Sequence, residues 1–469
     1  MPEFHDDLED WLHGQVRPLE PPPGAFELIR KRARRRKLRQ AALSVAGAAA
    51  VVAVAATVPQ VLVSQLSAGR SATGAARGHG HASPGSSAAP GVTQPSSLAT
   101  GGTPVRTSPP PPPPVPTPFS PSSVTFVGTG TGWVIGQAGT PGQCGPPDPD
   151  ICTSIARTDD GGKTWSGVPA PVTGPPDGSH GVSQVRFLDL RNGWAFGPEL
   201  WATHDGGHTW VKIGTRGTRV TALETRGKRA FAVWAQCSGP GPDFAANCTN
   251  FVLYSASAGS DRWAPVPGAW PGLGLVGTAS SADLVLTGAA GYLLPPDGIL
   301  YSGPVSGAGT WQPTAGAAAP QPVGCNPGAA QPDGQPSQAM IAATGTQPYL
   351  ALLCADTPAG TTQAKTLYYS TDGGKTWQQG GAVPTAGAAA SLSGSMTGGL
   401  VLATSQGLET AAGVNGPWRQ VGGSLPAGGF SYVGMTTASQ GVAVPAEVDL
   451  HAVWLTYDGG LTWHKSLVR

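Results

Sequence analysis

Beyond residue 120 the chain carries four glutamates, Glu199, Glu224, Glu409 and Glu447, and these with a set of turn aspartates are the groups from which a hydrolytic site would be drawn. Glycoside hydrolysis needs two carboxyls about 5–10 Å apart, one to give a proton and one to attack or to activate water. Asp160, Asp205, Asp372 and Asp458 are each placed inside a glycine-containing turn that uses up the carboxylate, so no catalytic pair is assigned. His204 and His208 are four apart and on a helix could share a metal. They fall inside one of the same turns and read as solvent-exposed variable positions. The "GHGH" at 78–81 reads as spacer, no C-x-x-C pair occurs, and no phosphate-cradling glycine loop or nucleophile elbow stands out. No metal and no cofactor is assigned. Asn247-Cys248-Thr249 fits a glycosylation sequon by pattern, with a cysteine at its centre.

The six cysteines are Cys144, Cys152, Cys237, Cys248, Cys325 and Cys354. An even count in an oxidising compartment suggests disulfides, and sequence alone leaves the pairing open. Nearest neighbours are the expectation: 144–152, 237–248 and 325–354.

The elements that hold these groups are set by a repeat. "TDDGGKTW" (158–165), "THDGGHTW" (203–210), "STDGGKTW" (370–377) and "TYDGGLTW" (456–463) share the pattern S/T-x-D-x-G-x-T-W. Each follows a short apolar, β-prone run. The same run ending in a tryptophan recurs without the aspartate at 251–263, 299–311 and 407–418, which makes seven copies. Trp165, Trp210, Trp263, Trp311, Trp377, Trp418 and Trp463 are 45, 53, 48, 66, 41 and 45 residues apart, a period that suits one four-stranded sheet. Two further strand-like runs precede each copy, as in "SVTFVGTGTGWVIG" and "VSQVRFLDLRNGWAFG". Strands A, B, C and D in seven radial, antiparallel sheets predict an all-β, seven-bladed β-propeller over 121–469.

In each full copy the aspartate (Asp160, Asp205, Asp372, Asp458) can accept from turn amides. The glycine (Gly162, Gly207, Gly374, Gly460) permits positive φ, and the threonine (Thr164, Thr209, Thr376, Thr462) adds a local bond. The tryptophan (Trp165, Trp210, Trp377, Trp463) buries a large surface and anchors the C–D hairpin. These residues resemble the BNR/Asp-box repeat of sialidases, sortilin-type receptors and photosystem II assembly factor-like propellers, and "GWAFG" and "GWVIG" look most like the last group. The resemblance implies a propeller in which the box is structural, in enzymes and non-enzymes alike. It also implies what a sialidase would need: an arginine triad, a tyrosine with a glutamate partner, an aspartate acid and an Arg-Ile-Pro segment. That segment is absent, and no arginine lies between Arg262 and Arg419.

In an up-and-down sheet the A–B and C–D turns share one end of the propeller and the B–C and D–A connections share the other. The boxes mark the first end, and all six cysteines fall on the second. The loops "CGPPDPDIC" and "CSGPGPDFAANC" on that rim are the expected binding face, because long loops on a rigid scaffold are where binding residues concentrate.

Upstream, residues 1–40 read as a cytoplasmic tail with Phe4, Leu8, Trp11, Leu12 and Val16 on one helical face. Residues 41–63 carry no charge and are long enough to cross a hydrocarbon core of roughly 30 Å. The eight positive charges within 30–39 keep the N-terminus inside, so the span reads as a retained signal anchor in the plasma membrane with the C-terminal part outside. This position accounts for the basic run, and no nucleic-acid partner is expected. Residues 64–120 read as a disordered Pro/Ser/Ala/Gly-rich stalk. The reading of the whole is a membrane-anchored, non-enzymatic binding or assembly module for an extracytoplasmic protein or glycan. One alternative is a signalling receptor, since "PPPGAFELIRKRARRRKLRQ" resembles juxtamembrane segments of bacterial anti-sigma-like membrane proteins. The tail would then contact a cytoplasmic regulator. The other is a sialidase-like glycoside hydrolase.

Overall fold

A computed structural model describes residues 112–139, 152–176, 180–237, 248–268, 282–288, 290–295, 299–307, 309–314, 338–345, 349–356 and 358–469. The tail 1–40, the span 41–63, most of the stalk 64–120 and residues Cys144, Asn247 and Cys325 lie outside the described residues. Among the described residues no helix is long and apolar enough to cross a membrane.

The described chain forms seven four-stranded antiparallel sheets, each built from consecutive strands in the order A-B-C-D. The A strands are Phe119–Val127, Gln184–Phe187, Arg219–Arg226, Asp283–Leu286, Gln338–Thr344, Ala389–Gly394 and Phe430–Met435, for blades 1 to 7 in turn. The D strands are Ser166–Val168, Val211–Ile213, Ala264–Pro265, Gln312–Pro313, Gln378–Gln379, Trp418–Gln420 and His464–Leu467. The first A strand starts at Phe119, two residues before the boundary read from composition. Val115 is buried in the joint between blades 7 and 1, and the Pro113 carbonyl accepts from the Gly167 amide at 2.9 Å.

Burial explains the strand types. A middle strand has a neighbouring blade on each face, so it reads as a continuous apolar run rather than an alternation. Gly193–Phe196 (GWAF), Leu400–Thr404 (LVLAT) and Ala452–Thr456 (AVWLT) are buried at every position. The D strands have little to cover them. Gln378–Gln379 is exposed at both positions, and its brevity limits the free edge that it presents.

Among the described residues every sheet is built from consecutive strands, so blade 7 meets blade 1 through side-chain contacts. Val442, Val444, Val453 and Leu455 pack on Phe119, Val124, Val134 and Trp165. Trp165 Nε1 donates to Ser466 Oγ at 3.0 Å, and the Tyr457 hydroxyl donates to the Gly161 carbonyl at 2.8 Å. His451 Nδ1 lies 2.9 Å from the Phe119 carbonyl.

Candidate functional site

The four box turns are nearly superimposable in their hydrogen bonding. In blade 1, Asp160 Oδ1 accepts from the amides of Lys163 and Thr164, both at 2.9 Å, and Oδ2 accepts from the Thr164 hydroxyl at 2.6 Å. Asp372 Oδ1 accepts from Lys375 and Thr376 at 3.0 and 2.9 Å, and Asp458 Oδ1 from Leu461 and Thr462 at the same distances. Asp205 is bonded to the amide and hydroxyl of Thr209 at 2.9 and 2.7 Å. The second glycine of each box has φ of 92°, 97°, 89° and 93°, a conformation L side chains rarely adopt.

The residue that opens each box does as much. Thr158, Thr203, Ser370 and Thr456 are all buried, and each hydroxyl donates to the box aspartate at 2.8 Å. The same oxygens accept from the amides of Gly162, Gly207, Gly374 and Gly460 at 2.8–2.9 Å. The repeat pattern contains this hydroxyl, but nothing in the pattern says that it is the buried centre of the turn. Burial would raise the Asp160 carboxyl, but the Thr164 hydroxyl and amide, the Thr158 hydroxyl and the Lys163 amide outweigh it and hold it at about 2. For Asp372 the Thr376 amide and then its hydroxyl are the largest influences, with the same outcome of about 2.

Each box tryptophan packs in the joint with the preceding blade, and Trp463 Nε1 also donates to the Gly460 carbonyl of its own turn at 3.0 Å, the hairpin anchoring read from the sequence. Trp210 of blade 2 shares a core with Trp133 and Ile155 of blade 1 and donates to the Pro169 carbonyl at 3.0 Å. The equivalents in the degenerate copies do the same: Trp263 meets Trp194 of blade 2 edge-on at 6.2 Å, and Trp311 meets Phe231 of blade 3 at 5.7 Å. Trp377, Trp418 and Trp463 fill the next three joints, and Trp165 the closing one. The motif is therefore a device for joining blades as well as for closing a turn.

At the opposite end, Cys237 closes strand B of blade 3 (Arg229–Cys237), and Cys248 opens strand C (Cys248–Ser257). The two face each other across the ladder with Cα atoms 3.9 Å apart and form a disulfide. Cys152 and Cys354 are also disulfide-bonded, and both lie at the B–C end of their blades. Loops 140–151 and 238–247, the core of the expected binding face, fall outside the described residues. With a sequence separation of only 11, the Cys237–Cys248 ring is small, and a chain-entropy estimate gives about 2–3 kcal/mol at most. Cys237→Ser/Cys248→Ser is thus expected to lose no more than that in a urea titration. A larger loss would mean that the bridge holds more than its own loop.

The same rim is tied loop to loop by polar side chains. Glu199, in the B–C turn of blade 2, accepts from the Thr173 hydroxyl at 2.8 Å, from Trp201 Nε1 at 3.0 Å and from the Lys212 ammonium. Burial would raise this carboxyl, but the bonds from Lys212, Trp201 and Thr173 leave it lowered. Glu447 accepts from the Gly428 amide at 2.8 Å, joining the B–C loop of blade 7 to the segment that enters that blade. Gln363 Oε1 accepts from the Ala389 amide at 2.6 Å, joining blade 5 to blade 6.

The other two glutamates lie elsewhere. Glu224, on the axial strand of blade 3, forms an ion pair with Arg186 of blade 2 at 2.9 Å. Glu409 is 4% exposed, and its Oε2 has no hydrogen-bond partner. Burial pushes this carboxyl up to about 7 against the pull of Lys365, whose own ammonium donates to the Pro384 and Ala386 carbonyls. His204 is more than a variable surface position: its Nδ1 lies 2.8 Å from Asn192 Oδ1 and its Nε2 3.0 Å from Asp261 Oδ1, which links blade 2 to blade 3. His208 is exposed. Among the described residues no three of His, Cys, Asp and Glu come together as a metal site.

The BNR/Asp-box repeat model matches residues 368–379. No curated protein matches the sequence. Among solved structures, YCF48 from Cyanidioschyzon merolae is similar at 14% identity over 60% of this chain and 83% of that one, with a TM-score of 0.39. The extracellular domain of the putative hybrid two component system BT4673 from B. thetaiotaomicron is similar at 12% identity over 76% of this chain and 39% of that one, TM-score 0.44. The Niastella koreensis GH74 enzyme is similar at 11% identity over 75% of this chain and 66% of that one, TM-score 0.33.

Proposed function

We propose that the chain is a membrane-anchored, extracytoplasmic propeller that works as a non-enzymatic binding or assembly module. The observation that carries this reading is the separate engagement of the four propeller glutamates. Glu199 is bound by Lys212, Trp201 and Thr173, Glu224 by Arg186, and Glu447 by the Gly428 amide, while Glu409 is buried beside Lys365. Glycoside hydrolysis needs two carboxyls across one space; Glu224 shares the axial cavity with Asp283, but its carboxylate is held by Arg186. Residues 41–63 anchor the chain with its N-terminus inside, residues 64–120 hold the propeller away from the membrane, and an extracytoplasmic protein or glycan docks on the disulfide-bearing rim. The tail is free to contact a cytoplasmic protein.

Two measurements on the full chain test this. Alkaline phosphatase fused after Arg469 is expected to be active, and a fluorescent protein fused there that glows in the cytoplasm would reject the topology. Purified chain is expected to release no methylumbelliferone from a panel of aryl glycosides, sialosides included. Release that disappears in Glu409→Gln or Glu224→Gln would overturn the non-enzymatic reading.

A further inference from the structure

The A strands of blades 2 to 7 enclose an axial cavity of about 620 Å³. Its lining includes Thr287, Gly288, Ser395, Met396 and Thr436, which belong to A–B turns, so it reaches the end of the propeller that carries the boxes. This is the end away from the disulfide-bearing rim. The volume falls within the roughly 300–1,000 Å³ of small-molecule pockets.

Its polar groups are distributed unevenly. Arg186 spends Nε on Glu224 and Nη1 on Ser123 Oγ and the Val185 carbonyl, at 2.9, 3.2 and 2.9 Å. Its guanidinium lies over the Tyr432 ring, 5.5 Å from the centroid, which leaves Nη2 without a bond. Arg226 is exposed at the end of the same cavity, and among the described residues its side chain makes no ion pair or hydrogen bond. Among the described residues the Tyr432 hydroxyl likewise has no hydrogen-bond partner, and burial keeps it a neutral donor by raising its pKa. Against these stand two acids. Glu224 is paired with Arg186, and among the described residues Asp283 accepts only the Ile341 amide, at 3.3 Å. Between these groups the lining is apolar, with Leu286, Leu392 and the half-exposed Met396.

Unsatisfied donors in a walled site outweigh acceptors there, and a low-dielectric wall strengthens each of them. We propose that the axial cavity binds an amphiphilic organic anion, its acidic group on Arg226 and the free edge of Arg186, its apolar body against Leu392 and Met396. Asp283 tunes the site. Burial lifts its carboxyl to about 7, only slightly offset by the Ile341 amide. The other charged groups of the lining are Arg186, Arg226 and Glu224, with Tyr432 neutral. When Asp283 is protonated the lining carries two positive charges and one negative, a net of +1, and when it ionises the net is zero. Anion binding therefore tightens as the pH falls from 8 to 6.

Equilibrium dialysis of the full chain with naphthalene-2-sulfonate tests this, with the uncharged naphthalene-2-sulfonamide as the size-matched control. The expected result is one saturable sulfonate site per chain that weakens about tenfold in Arg226→Ala, while the sulfonamide is unaffected. The Arg226 side chain is exposed at a strand end, so the variant should melt with the parent. Asp283→Asn is expected to bind at pH 8 as tightly as the parent does at pH 6. Equal sulfonate binding by the parent and Arg226→Ala, or no saturable site at all, would overturn the proposal.

Discussion

Trp311→Ala is expected to destabilise the propeller by about 3–5 kcal/mol, the range for truncating a buried aromatic. The indole is 1% exposed and fills the joint between blades 3 and 4 together with Phe231, Phe251, Leu253 and Leu293. Gly291 and Gly303 of its own blade lie against the ring so closely that a Cβ at either position would collide with it. The site is thus shaped to one side chain. Trp311→Phe is expected to lose much less, for a reason beyond its smaller volume change. Trp311 Nε1 is a buried donor with no acceptor, so phenylalanine removes an unsatisfied group as it removes packing. Denaturant midpoints of the two variants, compared at equal slope, check the ranking. Equal losses would mean that the joint tolerates a void there.

Seven blades and their strand order were legible because the box and its tryptophan recur once per sheet, in degenerate form where the aspartate is lost. What the period could not carry was direction across the joints. A tryptophan after a tight turn reads as an anchor for its own hairpin, and only the radial stacking shows Trp210 reaching Pro169 and Trp165 reaching Ser466. The same holds for His204, whose partners Asn192 and Asp261 lie 12 and 57 positions away. The axial cavity was hidden for a further reason. Its donors, Arg186 and Arg226, sit on two different A strands and line one space with Tyr432 only after closure. By contrast, the placement of Cys237 and Cys248 at the B–C end followed directly from strand phase, because successive turns in a meander must alternate ends.

Asp372→Ala is expected to cost about 1–3 kcal/mol at pH 7, since it strands the amides of Lys375 and Thr376 and the buried hydroxyl of Ser370. The carboxylate is exposed at its outer edge, so the charge itself is screened and the loss rests on the hydrogen bonds. The acid side separates the two. The Asp372 carboxyl has a pKa of about 2 in the folded protein against an ordinary 3.8, so its contribution is complete above the ordinary value and disappears as the pH falls through 2. The gap between parent and variant should therefore narrow from pH 4 downward and nearly close at pH 2. Asp160 and Asp205, also held at about 2, make blades 1 and 2 acid-sensitive over the same window. Blades 3, 4 and 6 have no box aspartate to lose. Hydrogen exchange measured at pH 4 and again at pH 2 should show the C–D turn amides of blades 1, 2, 5 and 7, the blades with a box aspartate held low, losing protection first. Uniform loss across all seven blades would mean that the box carboxylates are not what acid removes.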